Sequence, residues 1–257
     1  MDEYQQFKEE GKSEIGDMSN DSDLKKLTID WMNAANSRKY SYHFEWLGRP
    51  IIQYPQDMIA MQEIIWSVKP DLIIETGVAR GGSLIFYASL LELLETTGVS
   101  VGGRIIGIDN DIRAHNRTAL ETHPLFRRID LVEGSSVDAT TKDQVSEKVG
   151  DAKNLLVILD SSHTHEHVLM ELEMYHSFVS YNSYLIVFDT VIEFMSHDMF
   201  QDRPWGVGNN PMTALNEFLE TNGDFQIDRE IHEKLQISVA PNGYLKCSRN
   251  QDLKVVF

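Results

Sequence analysis

Short stretches of this 257-residue chain combine residue types and spacings that can do chemistry. The first, "ETGVARGGS" at 75–83, sets an acid before a glycine cluster, with Glu-x-Gly-x-Ala-x-Gly spacing. Glycines at a strand-to-helix junction permit a tight turn and let backbone N–H groups approach a ligand. The spacing is not the dinucleotide fingerprint, and Glu75 stands where a pyrophosphate would be repelled. A carboxylate there suits a cation or an ammonium group. The second stretch, "GIDNDIR", ends an apolar run in Asp109, the position from which acids bond ribose hydroxyls in nucleotide-binding sheets. The third, "EGSS", offers Ser135 and Ser136 as small polar groups to frame an adenine. Glu75, Gly77, Ala79, Gly81, Asp109, Ser135 and Ser136 together suit S-adenosyl-L-methionine (SAM), a donor with a sulfonium, an amino-acid tail and an adenosine. The plainer alternative is that Gly81 and Gly82 only let a helix pack closely on a sheet.

Further along, "LDSSHTHEHV" puts Asp160 at a strand end and His163 at the expected start of a helix, and "YLIVFD" ends in Asp189. Methyl transfer to a hydroxyl requires the oxygen to lose its proton, and a neutral imidazole can accept it. A helix N-terminus disfavours imidazolium, so His163 there would stay competent as a base. A histidine simply facing solvent is the alternative. Asp160 and Asp189 end adjacent strands, and their hard oxygen ligands suit Mg²⁺, which also holds a substrate diol. The triplet His163, His165, His167 invites a zinc reading in which His163, His167 and Glu171 share a helix face. The order is not H-E-x-x-H, and His165 reads as a solvated surface residue.

The elements that must position these residues follow from periodicity. After Pro70, apolar runs alternate with helical patterns: "DLIIE", "GRIIGID", "RIDLVEG", "NLLVILD" and "YLIVFD" read as buried strands. The fold class is therefore α/β, a Rossmann-like, doubly wound and mostly parallel sheet with an antiparallel C-terminal strand. "LQISVAPNGYLKC" reads as two strands joined around Pro241-Asn242-Gly243. Residues 1–24 are polar and expected to be mobile, 25–69 form a helical extension, and 70–257 form the main domain. "FQDRPWGVGNNP", with Trp205, is expected to overhang the crevice beyond Asp189. Tyr42, Phe44, Trp46 and Tyr54 are expected as an aromatic wall, or as core or subunit contacts.

Net charge is −17, from 23 basic and 40 acidic residues, which argues against nucleic acid or anionic lipid as a partner. Cys247 is the single cysteine, which excludes an internal disulfide and a Cys-rich zinc site. No apolar run is long enough to insert in a membrane, and a cytoplasmic location is the default.

"ETGVARGGS", "GIDNDIRAHNR", "EGSS", "LDSSHTHEHV", "YLIVFDT" and "NNPMTALNEF" occur in the order seen in the cephalosporin-hydroxylase and rhamnosyl O-methyltransferase family. The chain resembles that family over about residues 42–247. The resemblance implies a class I SAM-dependent methyltransferase fold and an O-methyltransferase acting on a sugar or glycosylated natural product. It implies that Glu75, Gly77, Gly81, Ser83, Asp109 and Ser135 contact SAM, with Ala79, Ser136 and Asp160 completing the set. It favours His163 as the base, assisted by Asp160, over a surface residue. Metal-using relatives carry two acids in a row at the fifth strand, whereas this chain has Phe188-Asp189, so one expected ligand beside Asp160 and Asp189 is missing. The expected partner is a small hydroxyl acceptor, a sugar diol, and the chain is expected to be a homo-oligomer. The alternatives are hydroxylase-like oxidation, which needs two histidines and a carboxylate around iron, and a SAM-binding protein without chemistry, for which Phe188 is the best support.

Overall fold

Strand residues shut off from water on both faces set this architecture. The computed structural model describes residues 2–249. β1 (Phe44–Trp46) and β2 (Arg49–Ile51) form a small hairpin ahead of the main sheet. That sheet contains β3 (Leu72–Thr76), β4 (Arg104–Asp109), β5 (Ile129–Glu133), β6 (Leu155–Leu159), β7 (Tyr184–Val187), β8 (Phe225–Ile227) and β9 (Tyr244–Cys247). Their order is β5-β4-β3-β6-β7-β9-β8. β3 to β7 pair in parallel, and β9 runs antiparallel to both its neighbours. The doubly wound sheet with a reversed C-terminal strand is thus as expected.

β3 and β6 are buried at every position. Their side chains alternate between two cores, as a period of two requires. Ile73, Ile105, Leu156 and Ile158 pack under α3 (Pro55–Val68) and α4 (Gly82–Thr96). Leu72, Ile74, Ile106 and Val157 pack under α7 (His165–Tyr175) and α8 (Pro211–Thr221). α5 (Ala114–Glu121) and α6 (Ala139–Val149) complete the crossovers. Strand order reverses between β3 and β6, which opens a crevice at their carboxyl ends.

Two segments differ in secondary structure from what their sequence suggests. Residues 3–24, polar and with little periodicity, carry α1 (Glu3–Asn20) and the start of α2 (Ser22–Asn36). α1 buries no residue; its helical signal lies in caps and local pairs, not in apolar periodicity. Asp2 accepts from Gln5 N, Gln6 donates to Glu10 one turn on, and Asp21 caps α2 through Asp23 N and Leu24 N. The C-terminal hairpin is also paired differently. "LQISVAP" forms no strand; the partner of β9 is β8, with α9 (Arg229–Leu235) lying between them in sequence. The fully buried Asp57 on α3 explains why. Its carboxylate accepts from Ser238 Oγ at 2.6 Å, Val239 N at 2.9 Å and Tyr244 Oη at 2.7 Å, so segment 238–244 is tied to a helix. Burial raises the Asp57 carboxyl to about 6 even with those three donors. Among the described residues no helix is long and apolar enough to cross a membrane.

Candidate active site

The crevice holds a cavity of about 540 Å³, within the size range of small-molecule sites. Gly77, Ala79, Ser83, Asp160, His163 and Asp189 all face it. Glu75, Gly81, Asp109, Ser135 and Ser136, also expected at the site, do not line it, and each has a different reason.

Asp109 stands directly behind the glycine turn. Its Oδ2 accepts from Val78 N at 2.9 Å and Ala79 N at 3.0 Å, and its Oδ1 accepts from Asp111 N at 3.0 Å. Those bonds fix the turn whose Ala79 adopts φ +45°, a strained value for a residue with a Cβ. Glu75 is fully buried and accepts from Ser83 Oγ at 2.8 Å, while its Oε1 has no hydrogen-bond partner. Desolvation raises its carboxyl to about 8, opposed by nearby hydroxyls, with the Asp109 charge adding to the rise.

The glycines divide by role. A Cβ on Gly77 would fall 2.0 Å from the Asp160 carbonyl oxygen, so this glycine lets β3 and β6 converge. Gly82 would meet the Pro50 carbonyl oxygen at 2.2 Å, the packing role entertained for it from sequence. Gly81 caps α4 at φ +79°, with Leu120 against it.

Ser136 is buried away from the cavity: its Oγ lies 3.0 Å from His167 Nε2, and its carbonyl accepts from Tyr175 Oη. Ser135 sits in the same turn, where its carbonyl accepts from Asp138 N. His167 also meets Ser161 Oγ at 3.2 Å, and Ser161 donates to the buried Glu171 at 2.6 Å. This network joins the ends of β5 and β6.

The β6 and β7 side is electrostatically different. Asp160 and Asp189 line the cavity from adjacent strand ends, close enough that the Asp189 carboxylate raises the cost of ionising Asp160. Asp160 is held well above the ordinary carboxylate range, by desolvation first and then by Asp189, Glu75 and Glu171. Asp189 adopts φ +57° at the head of the short turn Thr190–Phe194.

His163 stands one residue ahead of Thr164, the N-cap of α7, and so lies at the helix entrance and not within its first turn. Its Nδ1 lies 3.5 Å from Asp189 Oδ2, and its ring packs edge-on against Trp205 at 4.8 Å. A carboxylate and an indole orient this imidazole. His165 is not a solvated surface residue either. Its N donates to Asn209, its Nδ1 lies 2.8 Å from Thr213 Oγ1 and its Nε2 lies 3.2 Å from Glu217, tying α7 to α8. With His163 turned to Asp189 and His167 to the serines, the zinc face does not assemble. Among the described residues no group of three or more His, Cys, Asp or Glu is arranged to hold a metal. The donor set for a divalent cation is therefore two mutually repelling carboxylates. That set fits Mg²⁺, which keeps waters and substrate oxygens in its remaining positions.

The loop after β7 overhangs the cavity, as expected, through Trp205 and Arg203, whose guanidinium lies 5.3 Å from the indole ring. Glu193 holds the loop by accepting from Gly208 N and Asn210 Nδ2. Tyr42 and Tyr54 line the cavity, whereas Trp46 donates to Ser89 and packs on Phe86, and Phe44 packs on Tyr40. Phe188 lines the cavity at 2% exposure and packs edge-on to Tyr244. Sequence reasoning passed over Arg80 and Arg203 on the wall, although they stand within "ETGVARGGS" and "FQDRPWGVGNNP", and it passed over Gln53.

The Rhamnosyl O-methyltransferase/CmcI family model matches residues 38–248. The chain belongs to this family. Membership brings the activity class, SAM-dependent O-methyl transfer. A rhamnosyl O-methyltransferase of Mycobacterium bovis is 30% identical over 192 residues, 74% of this chain and 72% of its own. Among solved structures, CmcI with Mg and SAM superposes with a TM-score of 0.55 at 19% identity, covering 80% of this chain and 77% of CmcI. MycE, a methyltransferase of the mycinamycin pathway in complex with Mg, SAH and mycinamycin VI, gives 0.51 at 18%, covering 88% of this chain and 56% of MycE. Family and fold thus agree, and the fold is that of the class I methyltransferases.

Proposed function

We propose that this family member methylates a hydroxyl of a sugar or glycosylated natural product, with His163 as general base and Asp160 and Asp189 on the acceptor side. The observation that carries the reading is the convergence of Asp160, Asp189 and His163 with the Gly77–Ser83 turn on one cavity. The turn and Ser83 face the donor, backed by Glu75 and Asp109. When bound, SAM supplies an electrophilic methyl group on a sulfonium. Asp160 and Asp189 would hold Mg²⁺, which draws off negative charge developing on the acceptor oxygen. MycE was solved with Mg, SAH and mycinamycin VI, which supports a metal here, and the rhamnosyl O-methyltransferase relatives support a sugar acceptor.

This chain's own residues supply the remaining steps. His163, oriented by Asp189 through Nδ1, presents Nε2 to the acceptor hydroxyl and takes its proton as the methyl group crosses. Trp205 closes the wall behind the imidazole and excludes water, which would compete for the proton and the methyl group. Fixing donor and acceptor in line contributes much of the rate.

His163→Ala is expected to fold and bind S-adenosylhomocysteine with unchanged affinity while turnover on a panel of sugar diols drops roughly 10²- to 10⁴-fold. Retained turnover would remove the base from this account. An oxidative reading finds no support in the donor set, since two histidines and a carboxylate do not converge among the described residues.

A further inference from the structure

A second cavity, of about 450 Å³, lies outside the methyl-transfer site, among the end of α1, α2, α9 and the loop before β9. The two cavities share Val191 as a common wall residue. Its charge balance inverts that of the chain. Lys25 and Arg229 line it against the single acid Glu233, whereas the whole protein has 23 basic to 40 acidic residues. Neither cation has an ion-pair partner among the described residues, although most arginines elsewhere in the fold do, including Arg104, Arg117, Arg127 and Arg128. His232 also lines the cavity. Burial holds this imidazole below its ordinary range, and after Glu233, which opposes that, Lys25 and Arg229 lower it further, which puts both cations within electrostatic reach of the ring.

A second observation points the same way. Gln236, in the lining, adopts φ +58° and ψ −62°, a conformation that costs a residue with a Cβ. Asn242, also in the lining, has φ +61°. Strained backbone of this kind gathers at ligand sites, where the surrounding structure enforces it.

We infer that this cavity binds a small organic phosphate, with the solvent-exposed Lys25 and Arg229 of its lining pairing its charge. Two cations match a dianionic head better than a single carboxylate. The volume exceeds what an inorganic anion fills. Thr28, Asn20 and Asn242 give hydroxyl and amide partners to a polar body, over a floor of Ile29 and Phe194. The site is independent of the methyl-transfer reading.

The test is calorimetric titration of the full chain with glucose 6-phosphate, inorganic phosphate and glucose, at constant ionic strength. The expected result is one saturable site for glucose 6-phosphate, weaker binding of inorganic phosphate and none of glucose. Lys25→Gln and Arg229→Gln should each weaken glucose 6-phosphate at least about tenfold, one lost charge-assisted contact, with S-adenosylhomocysteine affinity unchanged as the check on folding. No saturable phosphate binding, binding that survives both substitutions, glucose binding as tight as its phosphate, or inorganic phosphate binding as tightly as the ester would overturn the inference.

Discussion

The two flanks of the crevice are both edged by acids, yet they handle charge in opposite ways. On the β3–β4 flank, Asp109 accepts three backbone N–H bonds and so shapes the turn that lines the cavity. On the β6–β7 flank, Asp160 faces Asp189, Glu75 and Glu171 with no comparable set of donors, and its ionisation is opposed by desolvation and by its neighbours. A fully bonded carboxylate is architecture, and a repelled one is a site waiting for positive charge. The contrast explains why the ribose acid inferred from sequence stands behind the cavity while the two later acids stand in it.

Neutralising either flank should separate these roles. Asp160→Asn removes a repelled charge, so thermal stability at neutral pH is expected to rise while turnover falls by roughly 10³-fold, the several kcal/mol that charge stabilisation supplies. A variant that loses stability and keeps turnover would reverse the assignment. Asp109→Asn turns an amide N–H₂ toward a backbone N–H, at a cost of about 1–3 kcal/mol for the orphaned donor. Its melting temperature should fall and its affinity for S-adenosylhomocysteine weaken about tenfold, with catalysis at saturating donor nearly intact.

Glu75, whose folded pKa is raised to about 8, sharpens the comparison through pH. A raised carboxyl favours the folded state fully below its unfolded pKa, and that contribution drains away as pH climbs toward 8. Glu75→Gln carries no such dependence. The melting-temperature difference between variant and parent should therefore widen in favour of glutamine from about pH 4.5 to pH 8 and then level off. A difference that stays flat across that window would mean Glu75 is ionised throughout.

The central strands were legible because burial on both faces makes them continuous apolar runs, as in "LLVIL" of β6. The acids that follow them were legible for the same reason, since topology carries every parallel strand end to one edge. What escaped the sequence depends on distant partners or on none. Asp57 holds Ser238 from 181 positions away, and no local pattern in "LQISVAP" reveals it. α1 buries nothing and so shows no apolar period to read. His163 was placed on a helix because its neighbours are helical; Thr164 as N-cap leaves it outside, turned to Asp189. Ser135 and Ser136 looked like an adenine edge, but Ser136 is drawn inward by His167, a contact between a loop and α7 across 31 positions of the chain.

The pairing of Asp160 with Asp189 carries most of this account, and Mg²⁺ titration tests it without knowledge of the acceptor. With S-adenosylhomocysteine saturating, calorimetry of the unaltered chain should show one site for Mg²⁺, and Asp189→Asn should abolish it. An unaltered chain that takes up no Mg²⁺, or an Asp189→Asn variant that binds it equally well, would contradict the reading of this flank as a cation site.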